Sequence, residues 1–345
     1  SVGLSDYYSG TDLQWYGSFQ AGTPAQSFQV VYDTGVCFDV HRLHNLGVQC
    51  TTCGTQNRFD PSASSTFYSY GANSTETFGT GGGVDPNDAD AQTYTLFQSR
   101  DMVSIAGLPA VVGNFSLITN ETAGFVNDPY DGIVGMAYGD GVGYGGPGIF
   151  QSLVASGLPA LFSLALYHNG TNGSEITLGG IDDTKFKEPL TYIPLSGPEL
   201  WVLNNTQISV NGKTSATLQN SASSSETIFD SGTSNVVLPP DVAAEIYALI
   251  SPKIQPVGTA GAYGLPCSEI GNITATLDFT FTSASGKPFN LTIPPEELNV
   301  GPFKEDPSTC QTLINAQGGY YVLGGSLLKH YYSVWDQGNS RMGFS

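Results

Sequence analysis

The sequence has few charged side chains, and those it has are mostly of one sign. Charged residues make up 12% of the 345 positions, against about a quarter in ordinary soluble domains. Eleven Lys and Arg accompany thirty Asp and Glu, so the formal net charge is −19. A field of this sign repels phosphate backbones and anionic lipid surfaces, which excludes nucleic acid and acidic membranes as partners.

Long apolar runs are also missing from the sequence. No segment approaches the roughly 20 apolar residues that a membrane-spanning helix needs. The polar residues that follow Ser1 lack the charged and apolar regions of a signal peptide. We therefore expect a processed, mature chain that does not insert into a membrane.

Cysteine is scarce, with five residues in the chain. A disulfide between Cys267 and Cys310 would close a long loop and contribute about 4 kcal/mol by chain entropy. A disulfide between Cys50 and Cys53 would close a much shorter ring. Both pairings suit an oxidising compartment, and they leave Cys37 as a free thiol.

A zinc site is the alternative for the stretch around the short CxxC pair. His41, His44, Cys50 and Cys53 supply four possible ligands there. Their order matches no familiar zinc finger, and an oxidising compartment favours the disulfide. We therefore expect neither a metal nor a cofactor.

Sequons for N-glycosylation are frequent for a chain with so few charges. Their number predicts passage through a secretory pathway and a secreted glycoprotein, with vacuolar or cell-surface retention left open. The eight asparagines are Asn73, Asn114, Asn120, Asn169, Asn172, Asn204, Asn272 and Asn290.

Glycine, tyrosine and phenylalanine are abundant, with 43, 18 and 18 residues respectively. Together with many Ser and Thr, they favour short strands and tight turns over helices. The length is sufficient for two domains that each bury a core. The sequence therefore predicts an all-β protein of two lobes, with short helices at 148–156 and 239–250.

Two short segments, one in each half of the chain, read almost alike. Residues 30–37 are VVYDTGVC, and residues 227–234 are TIFDSGTS. In each, an apolar run ends in Asp, a small hydroxyl residue and Gly, which predicts a buried strand that breaks into a tight turn. A second pair of related units follows at similar spacing, DGIVG at 131–135 and YVLG at 321–324.

This repeat predicts two related lobes that each contribute one carboxylate to a shared site. Residues 1–180 would form the lobe with Asp33 and a flap, which is a glycine-rich hairpin at 76–83 whose tip could act as a lid. Residues 181–345 would form the lobe with Asp230. Two carboxylates at hydrogen-bond distance cannot both ionise, so one keeps its proton. The charged member can deprotonate a water while the protonated member polarises a carbonyl, which permits peptide hydrolysis without a metal or covalent intermediate.

These motifs occur together in one known family. With its GTPAQSF, VVYDTG, DGIVG, IFDSGTS and YVLGGSLLKHYYSVWD segments, the chain resembles a pepsin-like aspartic protease over nearly its whole length. The resemblance implies a bilobal pepsin-like acid protease fold with the cleft between the lobes. It also implies a secreted, fungal-type endopeptidase that is monomeric, is made as a zymogen, cuts polypeptide substrates and binds pepstatin-type inhibitors. Asp33 and Asp230 would be its catalytic pair.

The resemblance also assigns roles to residues around the pair. Support for the two turns is expected from Thr34, Gly35, Ser231, Gly232 and Thr233. A flap would close over an extended substrate, and the residues expected to bind substrate there and along the cleft are Phe78, Gly79, Thr80, Gly81, Ile133, Leu200 and Trp201.

The first motif and the flap depart from the usual pattern of this family. Val36, Cys37 and Val40 stand where two serines and a tryptophan usually follow, and Phe78 stands where the flap tyrosine usually lies. The members of the polar chain beneath the flap are thus replaced by groups that cannot take part in it. Tyr94 is an alternative source of the missing aromatic contact.

A binding protein with the same fold is the competing interpretation, in which the cleft or surface captures a partner and little proteolysis survives. The altered flap favours it, whereas the two intact carboxylates and their glycines favour the protease. A two-carboxylate glycosidase could use the same pair, but no other feature of the sequence indicates sugar chemistry.

Overall fold

Strands predominate throughout the protein, and the helices are short. The structure, a computed structural model, describes residues 1–35, 42–45, 52–78, 92–139, 147–219 and 226–345. The predicted all-β class is confirmed, and both helices predicted from the sequence are present, at Ile149–Ala155 and Pro240–Ile250.

The N-terminal half is built mainly from antiparallel hairpins. Its first long hairpin turns at Gly22, whose φ of +96° lies in the region that favours glycine. The elements of this half are β1 (Val2–Tyr8), β2 (Asp12–Ala21), β3 (Gln26–Asp33), β4 (Arg42–Asn45), β5 (Arg58–Phe59), β6 (Tyr68–Phe78), β7 (Gln92–Ser104), β8 (Val111–Glu121), β9 (Gly132–Gly135), α1 (Ile149–Ala155), β10 (Leu161–Ala165) and β11 (Glu175–Leu178).

The C-terminal half has the same character, with shorter strands and three helices among its described residues. Its longest helix begins with Pro240 in the first turn, where the missing N–H costs nothing. The elements are β12 (Thr191–Pro194), β13 (Val202–Val210), β14 (Glu226–Phe229), β15 (Val236–Leu238), α2 (Pro240–Ile250), β16 (Gln255–Val257), β17 (Ala262–Pro266), α3 (Cys267–Ile270), β18 (Leu277–Thr282), β19 (Pro288–Ile293), β20 (Gly301–Pro302), β21 (Thr309–Gln311), β22 (Ile314–Ala316), β23 (Tyr321–Leu323), α4 (Gly325–Leu328), β24 (Ser333–Asp336) and β25 (Arg341–Phe344).

These strands form three sheets. The 14-stranded sheet has the order β12-β25-β24-β10-β11-β1-β2-β3-β9-β4-β8-β7-β6, with β5 beside β4. A 7-stranded sheet has the order β19-β18-β13-β14-β23-β15-β22, and a 4-stranded sheet has the order β16-β17-β21-β20. The large sheet includes strands from both halves, because β10 pairs with β24. The division at residue 180 falls between β11 and β12 and stays a prediction.

The repeat seen in the sequence corresponds to two matching strand arrangements. In the N-terminal half β3 lies parallel to β9, and β4 lies antiparallel to β9. In the C-terminal half β14 lies parallel to β23, and β15 lies antiparallel to β23. Each motif strand therefore ends beside its related second unit, and the two Asp-containing turns are held by equivalent neighbours.

An aromatic cluster joins the two halves in the core. Phe162 stacks on Trp335 with ring centroids 5.6 Å apart, and Trp201 meets Trp335 edge-on at 5.2 Å. All three side chains are fully buried. Burial of aromatic rings of this size contributes strongly to stability and fixes how the β10, β13 and β24 strands pack.

The predicted disulfide between Cys267 and Cys310 is present and ties the start of α3 to β21. Cys53 is also disulfide-bonded, while Cys50, its expected partner, and the free-thiol candidate Cys37 lie outside the described residues. A disulfide sulfur is not a thiolate ligand, so this bond argues against the zinc alternative. In the parts of the chain that the structure describes, we find no helix of sufficient length and hydrophobicity to cross a bilayer.

Candidate active site

Asp33 and Asp230 lie at the ends of the two equivalent motif strands. Asp33 is the last residue of β3, and Asp230 directly follows β14. Each is anchored through its backbone to the neighbouring parallel strand: the Asp33 carbonyl accepts from Met136 N, and Asp230 N donates to the Leu323 carbonyl. The two residues are 6% and 8% exposed. Buried strand ends therefore bring two carboxylates to one place with little water access.

A single backbone N–H reaches both carboxylates. Gly35 N donates to Asp33 Oδ1 at 2.9 Å and to Asp230 Oδ1 at 3.1 Å. Gly232 N in turn donates to Asp230 Oδ1 at 2.8 Å. Because one donor serves both carboxylates, the two groups lie close to each other.

Both glycines of the motifs are required by this close approach. A Cβ built on Gly35 would overlap the carboxyl group of Asp230, and one built on Gly232 would overlap that of Asp33. The atoms in the way belong to the two carboxylates themselves, so the overlap could be relieved only by displacing them. The glycine of each motif is thus required because a side chain there would collide with the opposite carboxylate, as well as for turn formation.

The hydroxyl residues between Asp and Gly lock the two turns together in a nearly symmetric way. Thr34 Oγ1 donates to the Phe229 carbonyl at 3.1 Å, and Ser231 Oγ donates to the Tyr32 carbonyl at 2.6 Å. Each hydroxyl oxygen also accepts the backbone N–H of the other residue, at 2.9 Å and 3.2 Å. The four buried bonds tie the two turns to each other.

Thr233 adds one contact on the Asp230 side. Its Oγ1 donates to Asp230 Oδ2 at 2.6 Å. The corresponding position after Asp33 is Val36, which lies outside the described residues together with Val40. Their side chains have no hydroxyl, so neither can supply the equivalent donor.

The expected substrate-binding residues lie in different environments. Phe78, at the end of β6, packs edge-on against Tyr94 and Phe125 with ring centroids 5.4 and 5.5 Å apart. Ile133 belongs to the same apolar cluster, and Leu200 is half-buried. Phe78 pairs with Gln92 where β6 ends and β7 begins, so this apolar cluster lies at that end of the β6–β7 pair. The flap-tip residues Gly79, Thr80 and Gly81 lie outside the described residues.

Trp201 differs from the expectation that it lines the cleft. Its side chain is 0% exposed, and Nε1 donates to the Met136 carbonyl at 2.8 Å. Its ring is enclosed by Tyr138, Phe162 and Trp335. The indole is therefore part of the core between the halves, because a large aromatic side chain gains more from burial there than at a cleft wall.

The sequons differ in accessibility. Asn114 lies within β8 and is 8% exposed, and its Oδ1 accepts a hydrogen bond from the Tyr70 hydroxyl at 2.8 Å. A buried, bonded amide leaves no room for a glycan, so this site is wrong as a glycosylation prediction. The other seven asparagines are exposed, and their modification stays a prediction: Asn73, Asn120, Asn169, Asn172, Asn204, Asn272 and Asn290.

Three residues near the pair were not recognised in the sequence. Gln14 on β2 donates to the Gly232 carbonyl, Tyr130 donates to Gln14, and Ser234 donates to the Leu13 carbonyl. Gln14 is a polar residue between apolar neighbours on a buried strand, which is the one local signal that it has an internal partner. Within the described ranges, no cluster of three or more His, Cys, Asp or Glu side chains could hold a metal ion.

Comparisons with known proteins agree with this geometry. The family model described as eukaryotic aspartyl protease matches residues 14–345. The chain is 28% identical to Pepsin-2B of Gadus morhua over 348 residues, which cover 97% of this chain and 96% of that protein. It is 29% identical to Pepsin A of Suncus murinus over 342 residues, 97% of this chain and 81% of that protein. Cathepsin D of Dictyostelium discoideum is 28% identical over 351 residues, 100% of this chain and 85% of that protein.

The fold and the paired carboxylates define an aspartic-type endopeptidase with the bilobal, all-β architecture of pepsin-like proteases. The chain belongs to the eukaryotic aspartyl protease family, as the family match over residues 14–345 shows.

Proposed function

We propose that the chain is a secreted endopeptidase that hydrolyses polypeptides at acidic pH, with a water activated between Asp33 and Asp230. The observation that carries this proposal is the Gly35 N–H that bonds to both carboxylates. Two acidic groups this close share one proton, so the pair contains an acid and a base together. Aspartic proteases as a class use this chemistry, and the proposal assigns the same chemistry to this chain.

The other site residues have supporting roles in this proposal. Thr34, Ser231 and Thr233 fix the carboxylates through the bonds described above. Gly35 and Gly232 give the carboxylates room and supply backbone donors. An extended polypeptide would lie over the pair and contact the flap and cleft residues Phe78, Gly79, Thr80, Gly81, Ile133 and Leu200. Removing Trp201 from this set follows from its complete burial.

The finer features of the proposal have separate support. The Cys267–Cys310 disulfide and the exposed sequons favour an oxidising, secretory route. The requirement for one shared proton favours acidic conditions. Only one chain is needed to assemble the site, because both carboxylates belong to it, and we expect a monomer that a pepstatin-type inhibitor blocks.

Digestion of a peptide library between pH 2 and 7 tests the function directly. We expect cleavage at acidic pH that a statine-type inhibitor blocks. Asp230→Asn and Asp33→Asn should each reduce the rate at least about a thousandfold, because an amide cannot exchange the shared proton. Asp241→Asn removes an exposed carboxylate in the first turn of α2 and should leave the rate unchanged.

The binding-protein interpretation makes the opposite prediction for the same experiment. A folded wild-type protein that cleaves no peptide anywhere between pH 2 and 7 would overturn the proposal. Cleavage that survives in Asp230→Asn would also overturn it, because the carboxylate pair would then not be the source of the activity.

A further inference from the structure

Strand β2 contacts the Asp230 turn at two successive positions. Gln14 Nε2 donates to the Gly232 carbonyl at 2.5 Å, and Ser234 Oγ donates to the Leu13 carbonyl at 2.9 Å. Gln14 is 4% exposed. A strand of the N-terminal half therefore holds the catalytic turn of the C-terminal half through buried hydrogen bonds.

The orientation of the Gln14 amide is determined by its two partners. The Gly232 carbonyl only accepts, so the NH₂ end of the amide must point to it. The remaining oxygen, Oε1, accepts from the buried Tyr130 hydroxyl at 2.7 Å. Tyr130 is itself enclosed by the rings of Tyr7 and Tyr16, each with its centroid 6.2 Å away. The two partners of the Gln14 amide, one acceptor and one donor, are therefore satisfied by the same orientation of its side chain.

Asp128 is the next group beyond the tyrosine. Its carboxyl is buried, and interaction with the Tyr130 side chain opposes part of the effect of burial on its pKa. Burial raises the pKa of Asp128 to about 7, so at acidic pH the group is neutral and competes less strongly than a carboxylate for the Tyr130 hydroxyl proton. The hydroxyl proton of Tyr130 is then left for Gln14.

Gly232 occupies a sensitive place in the turn. Its N–H donates to Asp230 Oδ1, and its carbonyl belongs to the peptide group that leads into Thr233. The Thr233 hydroxyl donates to Asp230 Oδ2. A group that holds the Gly232 carbonyl therefore fixes the peptide between the two residues that bind the two oxygens of this carboxylate.

We propose that Gln14, oriented by Tyr130, is a positioning residue that holds the Gly232–Thr233 peptide so that both residues hydrogen-bond to Asp230. The inference rests on the proposed function, because it concerns the rate of the reaction assigned to the Asp33 and Asp230 pair. Gln14 acts through the backbone of the turn, and its burial leaves almost no surface for a substrate to contact. Its loss should therefore lower kcat with little change in KM.

Three variants test this role by kcat and KM for one peptide substrate between pH 3 and 6.5. Gln14→Met keeps the approximate size but forms neither bond, and kcat should fall about 10- to 100-fold. Tyr130→Phe removes only the hydroxyl that orients the amide, and kcat should fall less, with KM again unchanged. Tyr332→Phe is the matched control: its buried hydroxyl bonds to Ser163 Oγ at 2.7 Å, and its loss should leave kcat unchanged.

Gln14→Glu separates positioning from simple packing. At pH 3 the neutral acid can still donate to the Gly232 carbonyl and accept from Tyr130, so kcat should remain within about threefold of wild type. Ionisation at higher pH removes the donated proton, and kcat should fall relative to wild type as pH approaches 6.5. The titratable groups that face this position are Asp128, Tyr130, Tyr7, Tyr16 and the Asp33 and Asp230 pair, and all are unchanged between the two proteins being compared.

The outcomes distinguish this inference from the proposed function. A wild-type enzyme without activity would overturn both. An active wild type with folded Gln14→Met and Tyr130→Phe variants of normal kcat would overturn the positioning role alone, as would a Gln14→Glu enzyme that is impaired equally at every pH. If Gln14→Met does not fold, the pH profile of Gln14→Glu and the kcat of Tyr130→Phe still test the inference. A Gln14→Glu kcat that is near wild type only at acidic pH supports the positioning role, and a kcat that is equally low at every pH contradicts it.

Discussion

At the scale of single residues, the glycine after each Asp–hydroxyl pair has no substitute. A methyl group on Gly35 would overlap the Asp230 carboxyl group. Gly35→Ala should therefore displace the carboxylate, and kcat/KM should fall at least about 100-fold, the cost of a misplacement on the order of 1 Å. Peptide cleavage together with circular dichroism measures the effect on a folded enzyme.

Gly271→Ala is the control for that substitution. No heavy atom lies within 4 Å of a Cβ built on Gly271, and its φ is negative. Its kcat/KM should match wild type. Equal activity of Gly35→Ala and wild type would show that the two carboxylates tolerate a wider separation than the structure has.

At the scale of elements, much of the architecture could be predicted because it depends on local patterns. The abundance of glycine and aromatic residues predicted the all-β class, and the predicted short helices at 148–156 and 239–250 correspond to α1 and α2. The repeated units also predicted which strands are related, and β9 and β23 do lie beside β3 and β14. A repeat carries this information because both copies must bury the same faces.

The contacts between elements could not be predicted from local sequence patterns. Gln14 and Gly232 are 218 residues apart, and neither residue type by itself predicts the other as a partner. Trp201 was assigned to the cleft by resemblance, whereas burial depends on Phe162 and Trp335, which come from distant strands. Asn114 fits the sequon pattern perfectly, but only the pairing of β7 with β8 and the Tyr70 contact show that it is buried.

The Cys267–Cys310 disulfide gives a prediction at this scale, because it connects α3 with β21 across 43 residues. Replacing both cysteines by alanine should lower the free energy of unfolding by about 4 kcal/mol, the chain-entropy value for a loop of this size. The bond lies in the 4-stranded sheet, away from the strands that carry the carboxylates, so kcat should not change. Urea unfolding of wild type and variant measures the difference, and a loss of kcat in the folded variant would contradict this separation.

At the scale of the whole molecule, a buried ion network connects the start of strand β2 with the C-terminal half. Lys329 Nζ lies 2.6 Å from Asp12 Oδ2 and 2.8 Å from Glu297 Oε2, and the three side chains are at most one-tenth exposed. Lys329→Met would remove the cation that Asp12 and Glu297 share, and His330 Nε2 would remain 3.0 Å from Glu297 Oε1. We expect a loss of about 3–5 kcal/mol at neutral pH, measured by urea unfolding.

An exposed ion pair supplies the matched control for this network. Lys253 pairs with Glu269, but its side chain is 63% exposed. Lys253→Met should cost no more than about 1 kcal/mol, since water screens the pair. Equal losses in the two variants would show that the Lys329 network contributes no more than a surface contact.

The pH dependence of stability is also a property of the whole molecule, because burial raises the pKa values of two carboxyl groups in different places. The pKa of Asp6 is about 8, through burial and the neighbouring Asp12, and the pKa of Asp128 is about 7, mainly through burial. Above their unfolded-state pKa the unfolded chain releases these protons while the folded chain retains them. These two groups therefore contribute stability that is fully present in acid and is lost as pH rises from their unfolded-state pKa toward about 7 and 8.

Asp128→Asn isolates one of these two contributions. Below about pH 4 the carboxyl is neutral in folded and unfolded chains, so it imposes no pH dependence there. Between about pH 4 and pH 7 the Asp128 carboxyl should contribute a loss of about 1.4 kcal/mol for each pH unit to the wild type, because this group ionises only in the unfolded state. The amide cannot ionise, so the variant should lose about 4 kcal/mol less over that interval when urea unfolding is measured at each pH. Asp241→Asn removes an exposed carboxylate instead and should keep the wild-type slope of unfolding free energy against pH. An unchanged slope in Asp128→Asn would mean that the Asp128 carboxyl ionises in the folded protein as readily as in water.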